Sequence, residues 1–230
     1  MIATETIRFE TAMLQWKNRA TSLLLAALLC LATQASAQNL VDESAVRESF
    51  LRYRDAILNS DADAAFNEIN QNTRDYYAEM LDNIWYASAE EIDTMTVVDK
   101  LFIAQSRHRI PVQQLKEFDE ESYFKYAVDA GWIGAETVEK IELLNVAIDG
   151  DTAMSTFVRD GRALPFGFSF NLEDGGWKID LVSIIPLSNM GLVHAVNNSG
   201  YEEEEFIFKV VESLSGFPVD SQIWIPPLTR

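Results

Sequence analysis

The chain has 230 residues, 36 of them acidic and 18 basic, for a formal net charge of −18, and it contains a single cysteine. A negative field of that strength argues against nucleic acid and anionic membrane surfaces as partners. One cysteine excludes a disulfide framework and a thiolate metal centre, so the 48% of apolar residues must hold the fold together as a core, and the length suits one sizeable domain.

Lys17 and Arg19 precede an apolar run from Leu23 to Leu31, which is followed by Ala35-Ser36-Ala37. That order is the pattern of a secretory signal peptide over residues 1–37, cut after Ala37. The run is far short of the roughly 20 residues a membrane helix needs, and no later stretch of the mature chain is suited to span a bilayer. The expected product is a periplasmic or secreted protein with one α+β domain over residues 38–230. Counted from Met13 rather than Met1 the leader has an ordinary length, so Met13 is the expected start. Cys30 lies inside this leader behind Leu28 and Leu29, where a lipidation signal would need small residues. Removing residues 1–37 leaves 15 basic residues against 34 acidic ones, a net charge of −19.

Between Val41 and Leu58 the residues Val46, Phe50, Tyr53 and Ile57 recur at helical spacing, which predicts an amphipathic first helix. Ser60 and Asp61 can cap a short second helix over 62–69. Asn72 or Thr73 can cap a third that carries Tyr77, Met80, Leu81 and Ile84 on one face. Ser88 and Glu91 have the spacing of a capping box, so a fourth helix is expected to start there, carry Ile92, Met95, Val98 and Phe102 inward, and end at Arg107-His108-Arg109 before Ile110-Pro111. A shorter helix follows Pro111, and another runs from about Asp119 to Ala130, closed by Gly131.

From Lys140 to Ile184 the chain reads as four antiparallel strands joined by Asp149-Gly150, Asp160-Gly161 and Asp174-Gly175, the strongest short-range hairpin signal. Ile141 and Leu143 are out of phase with Leu144, Val146 and Ile148, which predicts a bulge near Leu143. In the third strand Leu164, Phe166, Phe168, Phe170 and Leu172 share one face. Beyond Pro186 a short helix is expected around Met190 to Val196. Ser199 or Gly200 then opens a last helix with Phe206, Ile207, Val210, Val211 and Leu214 on one side, followed by an extended tail from Gly216.

The first helix from Phe50 to Asp61, the later Thr73-Arg-Asp-Tyr-Tyr77, and a meander ending in Gly175-Gly-Trp-Lys-Ile-Asp-Leu181 together resemble the nuclear transport factor 2-like superfamily, as a secreted, bacterial-type member. The resemblance covers about Asp42 to Ile184. It implies a cone-like α+β fold in which helices close a curved antiparallel sheet around a pocket, and it implies a pocket more than a reaction, because the family includes isomerases, dehydratases and many non-catalytic binding modules. It also allows a homodimer. The chain departs from the family pattern by a long helical insert, Ser88 to Ala130, and by a C-terminal helix and tail.

An enzyme of this fold needs a carboxylate or histidine in an apolar pocket. The catalytic candidates are Asp180, His108 and His194. Asp180 lies on the strand face opposite Ile179 and Leu181, His108 lies in the one basic cluster, and His194 is expected to be satisfied and partly buried. Each also has a bland explanation: a solvent-facing strand position, charge compensation at a helix end, and a satisfied, partly buried histidine. Arg54, Asp55, Tyr76 and Tyr77 can likewise reach a cavity mouth. The candidate ligand-binding residues are Tyr77, Trp85, Tyr123, Trp132, Phe166, Phe168 and Phe170, rings that suit an apolar or aromatic small molecule; the alternative is a closed core. The acidic runs Glu117 to Glu121 and Glu202 to Glu205 lack calcium-loop spacing and suit helix starts. No cofactor and no metal site is expected. The expected function is binding of a small apolar ligand without catalysis. An isomerase, dehydratase or hydrolase is one alternative, and an interaction subunit meeting another protein through the tail Ile223-Trp-Ile-Pro-Pro227 is another.

Overall fold

Among the described residues, five α-helices begin where a short polar side chain takes up a free amide. Asp61 accepts from the N–H of Ala64, Asn70 from Thr73, Ser88 from Glu91, Thr96 from Asp99 and Asp119 from Ser122. Each such cap contributes about 1 kcal/mol. The computed structural model describes residues 42–229 apart from 136, 137 and 165. The leader, with Met13, Cys30 and the cleavage site, lies outside the described residues. Ala45–Arg230 forms one packed unit.

The helices are α1 (residues 42–58), α2 (Ala62–Glu68), α3 (Gln71–Tyr86), α4 (Ala89–Asp93), α5 (Val97–Arg109), α6 (Val112–Leu115), α7 (Glu120–Asp129), α8 (Ile185–Ser199) and α9 (Glu203–Ser215). The fourth expected helix is in fact two. The Ser88–Glu91 capping box forms, but Thr96 offers a second cap, and α5 restarts after a break at Thr94–Thr96. Asn70, rather than Asn72 or Thr73, caps α3. Gly200 does not open α9; its left-handed backbone (φ 78°) closes α8, and Glu202 begins α9. Both acidic runs do sit at helix starts, in the first turns of α7 and α9.

The strands are β1 (Ile141–Asp149), β2 (Thr152–Arg159), β3 (Arg162–Leu164), β4 (Ser169–Glu173) and β5 (Gly176–Asp180), all antiparallel, in an open sheet ordered β1-β2-β4-β5 with β3 also on β2. At Asp160-Gly161 and Asp174-Gly175 both loop residues have positive φ, as the twist of a two-residue hairpin requires. The first turn is offset by one residue, because Asp149 pairs with Thr152 and leaves Gly150-Asp151 as the loop. The bulge in β1 falls between Leu143 and Val146. It turns Leu144 outward while Leu143 and Val146 stay inward, and Arg47 of α1 donates to the carbonyls of Leu143 (2.6 Å) and Leu144 (3.1 Å).

The expected third strand is interrupted into β3 and β4. Leu164 pairs with Phe157 but Ser169 pairs with Met154, so two extra residues enter this side of the ladder. Two residues preserve the face, because side chains alternate with period two, and Phe168 and Phe170 remain on the buried side with Trp177 and Ile179. The N–H groups of Phe157 and Ser155 still reach the carbonyls of Phe166 and Phe168 across the interruption.

The main core joins α1, α2, α3 and α7 to this sheet face. A smaller core joins Val97 and Ala104 from α5, Ile207 and Val211 from α9, and Ile223 from the tail. The tail is not extended. It forms 3-10 turns over Ser221–Trp224 and Pro227–Thr229, and Arg107 holds it. That side chain is 5% exposed and donates to the carbonyls of Asn83, Ile84 and Ala87 at the end of α3 and of Ile223 and Trp224 in the tail. Lys100 ties α5 to Glu203 of α9 at 2.6 Å. Among the described residues no helix is long and apolar enough to cross a membrane.

Candidate functional site

Between the buried sheet face and the helices lies a cavity of about 360 Å³, within the size range of small-molecule sites. Its wall is assembled from distant parts of the chain. The buried face of α1 contributes Tyr53, α3 contributes Thr73, Tyr76 and Tyr77, and α5 contributes Val98, Leu101 and Phe102, spaced so that one helix face presents all three. Trp132, Ile133 and Val138 come from the segment after α7, while Phe157, Phe166 and Phe168 come from the sheet. α8 supplies the remaining side through Ile185, Leu187, Ser188 and Leu192. It has no fully buried residue, although most of its residues are apolar, and the Asn189 side chain accepts from the first amide of α5, Val97, at 2.9 Å.

No charged side chain and no histidine lines this wall among the described residues. Its few polar groups differ in whether they are already engaged. Thr73 Oγ1 donates to Asn70 Oδ1 (2.8 Å) and accepts from the N–H of Leu181 (2.9 Å). Tyr76 donates to Asp99 Oδ1 at 2.7 Å, and Ser188 donates to the carbonyl of Ile184 within its own helix. Burial raises the Tyr76 phenol, and the negative charge of Asp99 raises it further. Tyr53 and Tyr77 are 1% and 5% exposed, and burial raises both phenols. The indole N–H of Trp132 is buried without a hydrogen-bond partner, and its ring lies 5.4 Å from the Arg109 guanidinium. Such a site holds a neutral, mainly apolar molecule by removing its surface from water; covering 200 Å² of apolar area is worth about 5 kcal/mol before the cost of immobilisation.

Of the candidate ligand-binding rings, Tyr77, Trp132, Phe166 and Phe168 line the cavity. Trp85, Tyr123 and Phe170 do not. Trp85 is half-buried against the main core. Tyr123 is fully buried, with its hydroxyl 2.7 Å from Ser106 Oγ. Phe170 is fully buried opposite Ile179. The contributions of α5 and α8 had only ordinary helical apolar spacing to announce them, which reads equally as core.

The catalytic candidates are dispersed. Asp180 accepts from Asn72 Nδ2 at both oxygens (3.2 and 3.1 Å) and from the N–H of Val182 (3.0 Å), which makes it a cap for the turn leaving β5. His108 Nε2 lies 3.1 Å from Ser215 Oγ and links α5 to α9. His194 is exposed on α8, a correction to the partial burial expected for it, because the helix turns it outward beside Asn198. Arg54 and Asp55 pair with each other at 3.3 Å. Among the described residues no group of three or more His, Cys, Asp and Glu side chains is placed to hold a metal ion. Neither family models, nor curated proteins, nor solved structures provide a match to this chain.

Proposed function

We propose that the chain is a periplasmic or secreted, non-catalytic protein that binds a small apolar or aromatic molecule between the helices and the buried sheet face. The observation that carries this reading is the uncharged, aromatic-lined cavity, into which four of the seven candidate rings converge. Supporting it are the leader-like pattern of residues 1–37 and the resemblance to the nuclear transport factor 2-like superfamily, where a pocket is the shared feature. Asp180, His108 and His194 lie outside the cavity wall, so an isomerase, dehydratase or hydrolase using one of them lacks a reason to work there. The tail, held by Arg107 and by the Trp224 indole donating to Glu204 at 2.7 Å, is engaged with its own unit, which weighs against the interaction-subunit alternative.

The test is native mass spectrometry of the mature chain from Gln38, purified from its secretory compartment, before and after mild denaturation. A small mass released on unfolding supports the reading. An apo mass that stays apo after incubation with apolar and aromatic compounds overturns it.

A further inference from the structure

Two hydroxyls set this cavity apart from an ordinary gap in a core. Tyr53 of α1 and Tyr77 of α3 both line it and are both at least nine-tenths buried, yet neither hydroxyl has a hydrogen-bond partner among the described residues. Of the other polar groups of the wall, Thr73, Tyr76 and Ser188 have protein partners, and the Trp132 indole N–H is a third donor without one. A phenol that lines a cavity without a protein partner keeps its donor free for whatever fills that cavity, and two such donors in an otherwise apolar wall point to a ligand that accepts from them. Resting on the ligand-binding reading above, we propose that the cavity selects a neutral molecule with an apolar body and one accepting oxygen, a ketone, aldehyde or alcohol, which takes its hydrogen bonds from Tyr53 and Tyr77.

Three observations narrow the class. Burial keeps both phenols protonated and therefore donating. Among the described residues the wall carries no cation to compensate a carboxylate or phosphate, and an uncompensated ion is expensive to bury. Around the two hydroxyls the wall is apolar, with Leu101, Phe102, Ile133, Phe157 and Leu192 among its side chains, so a richly hydroxylated ligand would leave its own groups unpaired.

The experiment is isothermal titration of the mature protein with three probes of one skeleton: 2-acetylnaphthalene, 2-ethylnaphthalene and 2-naphthoate. The ketone is expected to bind about tenfold tighter than the hydrocarbon, the scale of one to two hydrogen bonds to otherwise unpaired donors, and the carboxylate weakest of the three. In the Tyr53→Phe, Tyr77→Phe double variant the ketone is expected to lose its advantage, the ratio of its affinity to that of 2-ethylnaphthalene falling to about one. Equal affinity of ketone and hydrocarbon for the unaltered protein, or a ketone advantage that survives in the variant, overturns the assignment of the two phenols and leaves apolar binding standing. Binding of none of the three overturns the assignment together with the reading on which it rests.

Discussion

Gly167 lies so close to the Ser155 backbone that a Cβ at this position would overlap the Ser155 carbonyl oxygen. The contact sits at the interruption between β3 and β4, where two extra residues enter the ladder, and it lets Phe166 and Phe168 flank the approach and still face the cavity. Gly167 does not have the left-handed backbone that would call for glycine on conformational grounds; the requirement is space.

Gly167→Ala is therefore expected to destabilise the fold by about 3 kcal/mol, since backbone on the β2 side must move to make room. Gly191→Ala is the control with the opposite sign. A Cβ there meets nothing within 4 Å and the residue lies inside α8, so alanine is expected to stabilise by about 0.5–1 kcal/mol. Urea denaturation of the two variants checks both signs.

Arg107 joins the end of α3 to the C-terminal tail through five carbonyls. Arg107→Lys keeps the charge but cannot reproduce a planar fork that serves both elements. It is expected to cost about 3 kcal/mol, with buried carbonyls left unsatisfied, and to expose the tail to proteolysis near Ile223 before the rest of the chain. Limited proteolysis timed against the far-ultraviolet circular dichroism separates local release from global unfolding.

Tyr53, Tyr76, Tyr77 and Tyr123 all have phenols raised above their ordinary value, in each case chiefly by burial. A group whose folded value is raised contributes stability that is present below the unfolded value and is lost as pH climbs above it. Stability is therefore expected to fall as pH rises beyond about 10, the ordinary tyrosine value. Absorbance at 295 nm should show these four of the seven tyrosines ionising only when the chain unfolds. Within the set, Tyr76→Phe removes the donor to Asp99 and is expected to cost about 1–2 kcal/mol, whereas Tyr53→Phe removes an unpartnered hydroxyl and should be neutral or stabilising.

At the acid end, Asp119 and Glu91 are both held below their ordinary values, Asp119 by hydrogen bonds from the Ser122 side chain and amide, and Glu91 by hydrogen bonds from the Ser88 amide and hydroxyl. A depressed carboxylate contributes stability that is present above its unfolded value and is lost as pH falls through the folded one. Asp119→Asn retains a capping oxygen but no longer titrates. Its stability relative to the unaltered chain is expected to be lower at pH 7 and to converge with it below about pH 4, which denaturant melts across that range will show.

The helix starts were legible in the residues themselves, because a cap is a contact between neighbours: Asp61, Ser88 and Asp119 stand next to the amides they serve. Asn70 illustrates the limit. Besides capping α3 it donates to Asn171 of β4 at 2.8 Å, and its amide reaches the Ile179 carbonyl of β5 at 2.9 Å, so partners about a hundred residues away favour it over the equally suitable Asn72 and Thr73. The break before α5 follows the same rule, since Thr96 was a competent cap all along but only the position of α5 between α3 and α9 makes use of it.

An α+β chain with a meander, a bulge near Leu143 and an inward face of Phe168 and Phe170 could be read from the residues, because strand alternation, Asp-Gly turns and helical spacing are encoded over a few positions. Which aromatic rings line the cavity follows from how the elements pack together. Tyr77 and Tyr123 are both buried aromatics on helix faces, yet the first meets the cavity and the second Ser106. Whether a ring fills a core or lines a pocket depends on the volume left among α1, α3, α5, α8 and the sheet, a quantity that no single segment contains.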